Sequence, residues 1–348
     1  MNMSQFFSAN NVNPRSETIR VRTIDMHTGG EPLRIILEGF PEPVGDSVIA
    51  YRRFFMENYD HLRTSLMHEP RGHADMYGVI VTPSKVADFG VVFMHNEGYS
   101  TMCGHATIAI TKLAVEAGWV EMVDSETRVL IEAPCGVLTA YAKIKDRKVV
   151  SVRFHNVPSF VVALDQLGEV PEIGIVNYDL AYGGAYYAFV NADELKIPLV
   201  PSNYQQLIST GMAIKHAVME STDLIKHPEE DDLSFLYGTI FIGGPISAGV
   251  DSRNVCVFAE GEVDRCPTGS GVSARMAIHH QRQELHEGEE MIIESILGTQ
   301  FTSKVHKKMT YAGVDAVIPE VEGTAYYTGQ HEFWIDPGDP LHRGFIFR

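Results

Sequence analysis

Two short stretches join a polar or nucleophilic side chain to an open helix start. Cys103-Gly104-His105 leads into an apolar run with helical spacing from Gly104 to about Ala117, and Thr268-Gly269-Ser270 leads into another from Gly269 to about Gln283. The first turn of a helix presents N–H groups without intrahelical acceptors and a partial positive charge, so each start is a ready site for an anion. A cysteine there is ordinarily a small core hydrophobe. Its other reading is chemical: the helix N-terminus lowers a thiol pKa from about 8.5 towards neutrality, which makes Cys103 a thiolate at physiological pH. A thiolate flanked by free amide N–H groups can deprotonate carbon while those amides hold a carboxylate. A Cys103 nucleophile with a His105 base stays open, although two residues of separation suit little more than a local pair. Metal binding fits badly, because no second Cys or His lies at ligand spacing and HEPRGH (68–73) has one residue too many for HExxH and a helix-breaking Pro70.

Positioning these stretches needs many strands and few helices. IRVRTIDMH (19–27), VRFHNVPSFVVAL (152–164) and NVCVFAEG (254–261) alternate or run apolar as strands do. Helices mixed with strands in no strict βαβ order predict an α+β fold. Landmarks also recur in order. DMHTGG (25–30) is echoed by DLAYGG (179–184), MCGHATIAI (102–110) by CPTGSGVSA (266–274), and IEAPCGVLT with Glu132 and Gly136 by IESILGTQF with Glu294 and Gly298. An ordered set of echoes implies duplication, with a boundary near residue 150. The expected organisation is a disordered tail (1–17), an N-terminal half (18–149) carrying Cys103, a C-terminal half (150–324) carrying Asp264 and Thr268, and a final segment (325–348) packing back on the first half. Two related halves facing each other build a cleft on which both helix starts can converge.

Bulk properties narrow the partners. A net charge of −17 argues against nucleic acid and anionic membrane surfaces, and 45% hydrophobic with 21% charged residues is ordinary for a globular protein. No apolar stretch reaches the ~18–20 residues of a membrane helix, and the first 17 residues lack the basic start and apolar core of a secretory signal. Four cysteines without CxxC pairing (Cys103, Cys135, Cys256, Cys266) predict a reduced, cytoplasmic setting.

DMHTGGEPLR (25–34), EPRGHADMYG (69–78), HNEGYSTMCGH (95–105) and DRCPTGSGVSAR (264–275) together resemble the proline racemase family, from about Val21 to the end of the chain. The resemblance implies two pseudo-symmetric halves, each a strand-rich, barrel-like sheet wrapped around a central helix, of the proline racemase/diaminopimelate epimerase type. It also implies a homodimer, no cofactor and no metal. In the family's racemases and epimerases two cysteines face opposite sides of the substrate α-carbon. The first matches Cys103; the second position is Thr268, too weak an acid–base to replace a thiol. A Cys/Thr pair is similar to that of family members that dehydrate trans-3-hydroxy-L-proline. Its 3-hydroxyl lies on the same ring face as the α-hydrogen, so one thiol suffices, and loss of water gives an enamine that becomes Δ1-pyrroline-2-carboxylate. The implied site is Cys103 as base; N–H groups of Gly104, His105, Gly269 and Ser270 on the carboxylate; Asp264 on the ring ammonium; and Thr268 as substrate contact, helix N-cap or filler. His105 positions the substrate hydroxyl, or assists its departure, or only bonds within its own turn. His27, Gly29-Gly30 and Gly183-Gly184 either line the cleft or serve turn geometry. Cys266 departs from the family's usual Ser before Pro267. The runner-up is therefore a hydroxyproline epimerase or proline racemase with Cys266 as second thiol, and a non-catalytic binding protein is the remaining alternative.

Overall fold

The computed structural model describes residues 14–347; most of the expected tail, residues 1–13, lies outside them. The chain order is β1 (Ile19–Thr28), β2 (Glu31–Glu38), α1 (Val48–Asn58), α2 (Asp60–Met67), β3 (Tyr77–Thr82), β4 (Phe89–His95), α3 (Gly104–Glu116), β5 (Glu126–Ala133), β6 (Gly136–Lys145) and β7 (Lys148–His155). Then come β8 (Ser159–Val170), β9 (Gly174–Tyr182), β10 (Tyr186–Asn191), α4 (Tyr204–Ser221), β11 (Leu236–Gly243), β12 (Ser252–Phe258), the short β13 (Glu262–Val263), α5 (Gly269–Gln281), β14 (Glu290–Glu294), β15 (Gln300–Tyr311), β16 (Val314–Gly323) and β17 (Ala325–Ile335). The stretch 152–164, read from sequence as one strand, is two: β7 and β8 are separated at Asn156-Val157-Pro158. Proline cannot donate to a ladder and restrains the residue before it, so the run breaks there.

One pairing order occurs twice. β1 to β7 pair in sequence, with β2–β3 and β4–β5 parallel. β9, β10, β11, β12, β14, β15 and β16 repeat that order, with β10–β11 and β12–β14 parallel. β8 joins β9 to β16 and closes an eight-stranded barrel. β17 pairs with β1, and the far end of β16 pairs with β7, so β16 ties the barrel to the β1–β7 run in one continuous sheet.

The helices explain the strand patterns. α3 is buried around nearly its whole circumference and packs on β1, β6 and β7; α5, buried from Gly269 to Ile278, packs on β8, β15 and β16. A helix without a polar face has to be surrounded. α1 and α2 cover the outer face of β2–β4 through Val48, Phe55, Leu66 and Met67, against Ile36, Ile80 and Met94. Strands buried on both faces read as unbroken apolar runs, as VVFM in β4 does.

Glu320 on β16 pins the junction of the barrel with the β1–β7 run, accepting from Arg153 Nη1 (2.8 Å) and His155 Nε2 (2.8 Å) of β7 and pairing with Lys304 Nζ (3.0 Å) of β15. Burial alone raises its carboxyl, but hydrogen bonds from His155 and Lys304 and the Arg153 charge hold it down at about 2. A carboxyl depressed in the folded state contributes stability above its unfolded pKa, near 4.5, and that contribution is lost as pH falls towards 2. Glu320→Gln is therefore expected to lower urea stability at pH 7 and to flatten the pH dependence between about 4.5 and 2, read by denaturant titration across that range.

Candidate active site

α3 and α5 meet N-terminus to N-terminus. A Cβ on Gly104 would lie 2.6 Å from the Cα of Gly269, and one on Gly269 2.8 Å from the Cα of Gly104. Only two glycines allow helix ends this close. Gly104 and Gly269, with His105 and Ser270 beside them, line one small pocket at the meeting of the two helix starts. Cys103, Gly104, His105, Asp264, Thr268, Gly269 and Ser270 all line it. A larger open groove beside Asp179 and Arg282 contains none of them.

Cys103 occupies the N-cap position of α3 with extended backbone (φ −147°) and makes no side-chain cap. Its Sγ lies 3.1 Å from His105 Nδ1, and the nearby Tyr77 hydroxyl bonds the Ser100 hydroxyl. The thiol is not the ready thiolate that its helix position predicts. Burial pushes it well up, outweighing the Ala106 N–H of the helix start, and Asp264 and Glu31 add to the rise. Burial also pulls His105 down to about 4. Desolvation disfavours both charged forms, so the pair is a thiol beside a neutral imidazole.

Thr268 sits at the N-cap of α5 but does not cap it; its backbone lies at φ +69°, a strained conformation for a β-branched residue. The hydroxyl instead donates to Asp264 Oδ2 at 2.8 Å, while Asp264 Oδ1 accepts from the Cys266 N–H at 2.7 Å. Asp264 is thus fixed at the pocket wall by its own loop. Cys266 does not line the pocket. It packs against the β1–β2 turn, where a Cβ on Gly29 would touch its Cβ at 3.0 Å, and its Sγ accepts from the Thr268 N–H at 3.4 Å. Burial pushes this thiol up too. His105, Asp264 and Cys266 offer ligand atoms within 4.8 Å of one another, but His105 Nε2 faces the Pro32 carbonyl at 3.2 Å and both Asp264 oxygens are engaged.

The glycine pairs shape turns behind the pocket. Gly29 and Gly30 have positive φ, Thr28 Oγ1 donates to the His105 carbonyl at 2.9 Å, and Gly183 passes so near α5 that a Cβ would strike the Ser270 carbonyl. His27 accepts from the Gly30 N–H, stacks on Tyr326 and lines a separate groove with His73. Sequence reasoning missed Tyr77, Tyr187, Tyr237 and Phe258 on the wall. Tyr187 meets Ser270 Oγ at 2.7 Å, and Tyr77 packs edge-on to the His105 ring at 4.8 Å. It also missed Glu31, fully buried behind the pocket, whose Oε2 accepts from the Arg265 N–H at 2.7 Å while Oε1 has no hydrogen-bond partner among the described residues. Burial and the Asp264 charge push its carboxyl well up. Tyr77 and Glu31 do stand in quoted motifs, EPRGHADMYG and DMHTGGEPLR, but nothing local singles them out.

A thiol–imidazole pair and a fixed carboxylate at two converging helix starts define a site for proton transfer to and from a small amino acid-like anion. The chain belongs to the proline racemase family, whose model matches residues 23–346. It is 50% identical over 332 residues to a trans-3-hydroxy-L-proline dehydratase of Colwellia psychrerythraea, covering 95% of this chain and 93% of that one. It is 44% identical over 328 residues to a 3-hydroxyproline 2-epimerase of Burkholderia multivorans, covering 94% and 98%. Among solved structures, a hydroxyproline epimerase of Agrobacterium vitis with bound trans-4-OH-L-proline superposes with a TM-score of 0.88 at 30% identity, covering 94% of this chain and 95% of that one.

Proposed function

We propose that this protein dehydrates trans-3-hydroxy-L-proline to Δ1-pyrroline-2-carboxylate without a cofactor, with Cys103 as the base. The observation that carries this reading is the asymmetry of the pocket: a thiol at one helix start and, at the other, a threonine whose hydroxyl is committed to Asp264. Such a pocket can remove an α-proton from one face and has no thiol in the wall to return one from the other. In this substrate the departing 3-hydroxyl is on the same face as the α-hydrogen, so one-sided chemistry is sufficient. The high identity to a relative named for this dehydration agrees.

The substrate carboxylate is held by the N–H groups of Gly104, His105, Gly269 and Ser270, where both helix dipoles oppose its charge. Asp264 pairs with the ring ammonium. Together they stabilise the carbanion-like transition state that α-proton removal creates. The two halves, 18–149 with 325–348 and 150–324, face each other across this pocket; the twice-used strand order and the β1–β17 pairing support that division. The cytoplasmic setting is supported by four free cysteines. The homodimer rests on the family resemblance alone, and sedimentation velocity checks it. No helix among the described residues is long and apolar enough to cross a membrane.

Incubation of the purified protein with the 3-hydroxy substrate, followed by proton NMR, tests the reading through the appearance of the cyclic imine. The asymmetry is tested by Thr268→Cys, which places a thiol opposite Cys103. This variant is expected to gain epimerisation and α-deuteration of trans-4-hydroxy-L-proline in D2O that the parent lacks. A folded Thr268→Cys protein that binds pyrrole-2-carboxylate yet gains neither activity contradicts the one-thiol reading.

A further inference from the structure

We propose that His105 is the acid that protonates the departing 3-hydroxyl, using the proton that it takes from Cys103. The proposal rests on the dehydratase reading and supplies what a single thiol leaves open. His105 Nε2 lies 3.2 Å from the Pro32 carbonyl, which can only accept, so Nε2 carries the hydrogen. Nδ1 then presents its lone pair to Cys103 Sγ at 3.1 Å. The edge of Tyr77 against the ring and the Thr28 bond to the His105 carbonyl hold the imidazole in that orientation. Base and acid are thus neighbours on one wall, as loss of two groups from one face requires. On the opposite wall, Thr268 donates to Asp264, and Asp264 only accepts.

The cycle balances. The Sγ–H proton moves to Nδ1, leaving thiolate and imidazolium. The thiolate takes the α-proton, the C–H electron pair forms the C2–C3 double bond, and the C3–O bond breaks with its pair on oxygen. Nδ1–H delivers its proton to that oxygen and water leaves. Cys103 is again a thiol and His105 again neutral. One proton has circulated within the pair, and neither oxidant nor further co-reactant is used. Burial, which pushes the thiol up and the imidazole down to about 4, makes the transient thiolate a stronger base and the transient imidazolium a stronger acid. The groups facing the pair are Asp264, which favours the proton on both, Glu31, which favours it on the thiol, and the Tyr77 hydroxyl, which favours the thiolate.

A leaving group that needs no proton separates the two roles. With trans-3-chloro-L-proline, chloride departs from the same face unaided, so its elimination needs the thiolate but not the acid. For the wild-type enzyme, kcat/KM is measured against pH for the chloro and hydroxy substrates in parallel. Their ratio cancels titrations common to both, and it is expected to rise at least about tenfold once the pair loses its shared proton. Coincident alkaline limbs, with dehydration intact, overturn the role of His105, because Cys103 would then serve as both base and acid. Failure of the wild type to dehydrate the hydroxy compound sinks the underlying reading instead. In His105→Gln, with pyrrole-2-carboxylate binding as the check on folding, alkaline pH is expected to restore chloro elimination while dehydration stays at least about 10²-fold down. Parallel recovery of both substrates also overturns the proposal.

Discussion

Cys103→Ser is expected to lower kcat for dehydration by about 10³-fold or more, within the range for loss of a positioned acid–base group, while leaving binding of a planar carboxylate such as pyrrole-2-carboxylate within a few-fold. The substitution keeps the size of the side chain and a donor for His105 Nδ1, now 3.1 Å from Sγ. What it removes is a group that can give up a proton and then take one from carbon; an alkoxide is out of reach at neutral pH. Calorimetric titration with pyrrole-2-carboxylate beside steady-state kinetics separates the two effects. Loss of binding equal to loss of rate would make Cys103 a packing residue of the pocket. Retained turnover would remove it from the chemistry.

Gly104→Ala carries the second large effect, and here two principles point in opposite directions. Helix propensity favours alanine over glycine by about 1 kcal/mol inside a helix. The Cβ, however, would stand 2.6 Å from Gly269 Cα and 3.1 Å from Gly269 C, both backbone atoms of the facing helix start. Backbone cannot swing away as a side chain can, so the helix ends must part. Overpacking of this kind costs about 1–3 kcal/mol, which outweighs the propensity gain. Parting the ends also spreads the N–H groups proposed to hold the carboxylate, and a misplacement near 1 Å is worth about 10² in rate. The expected result is a destabilised protein with weakened pyrrole-2-carboxylate binding and about 10²-fold lower kcat/KM. Gly98→Ala is the control, since nothing lies within 4 Å of a Cβ there; its stability should stay within about 0.5 kcal/mol of the parent. A Gly104→Ala protein more stable than the parent would show that propensity wins and that the ends are free to separate.

The same physics separates what sequence could show from what it could not. α3 and α5 were legible because a helix apolar on all sides with a small-residue start leaves a mark on a single stretch of chain. Gly104 and Gly269 were legible as turn formers, whereas their contact across the pocket is a relation between residues 165 positions apart and leaves no local mark. Sharing of β16 by the barrel and β7, and of Glu320 by His155, Arg153 and Lys304, is equally non-local. The break between β7 and β8 was hidden because strand-like stretches, VRF (152–154) and FVVAL (160–164), stand on both sides of Pro158. At the site, Cys103, His105 and Asp264 were visible by residue type and motif. The state of Cys103 was not: the helix start argues for a thiolate, and only its burial, with Asp264 and Glu31 nearby, shows that desolvation wins. In the proposed cycle the thiol therefore hands its proton to its imidazole neighbour before it acts.

The measurement that tests the central claim most directly is proton NMR in D2O of the wild-type protein with trans-3-hydroxy-L-proline, with trans-4-hydroxy-L-proline and L-proline in parallel. A pocket with one thiol and an opposing threonine predicts that only the 3-hydroxy compound disappears, giving Δ1-pyrroline-2-carboxylate. Epimer formation from the 4-hydroxy compound, or racemisation of proline, would contradict the account, because each requires a second proton donor on the wall that Thr268 occupies.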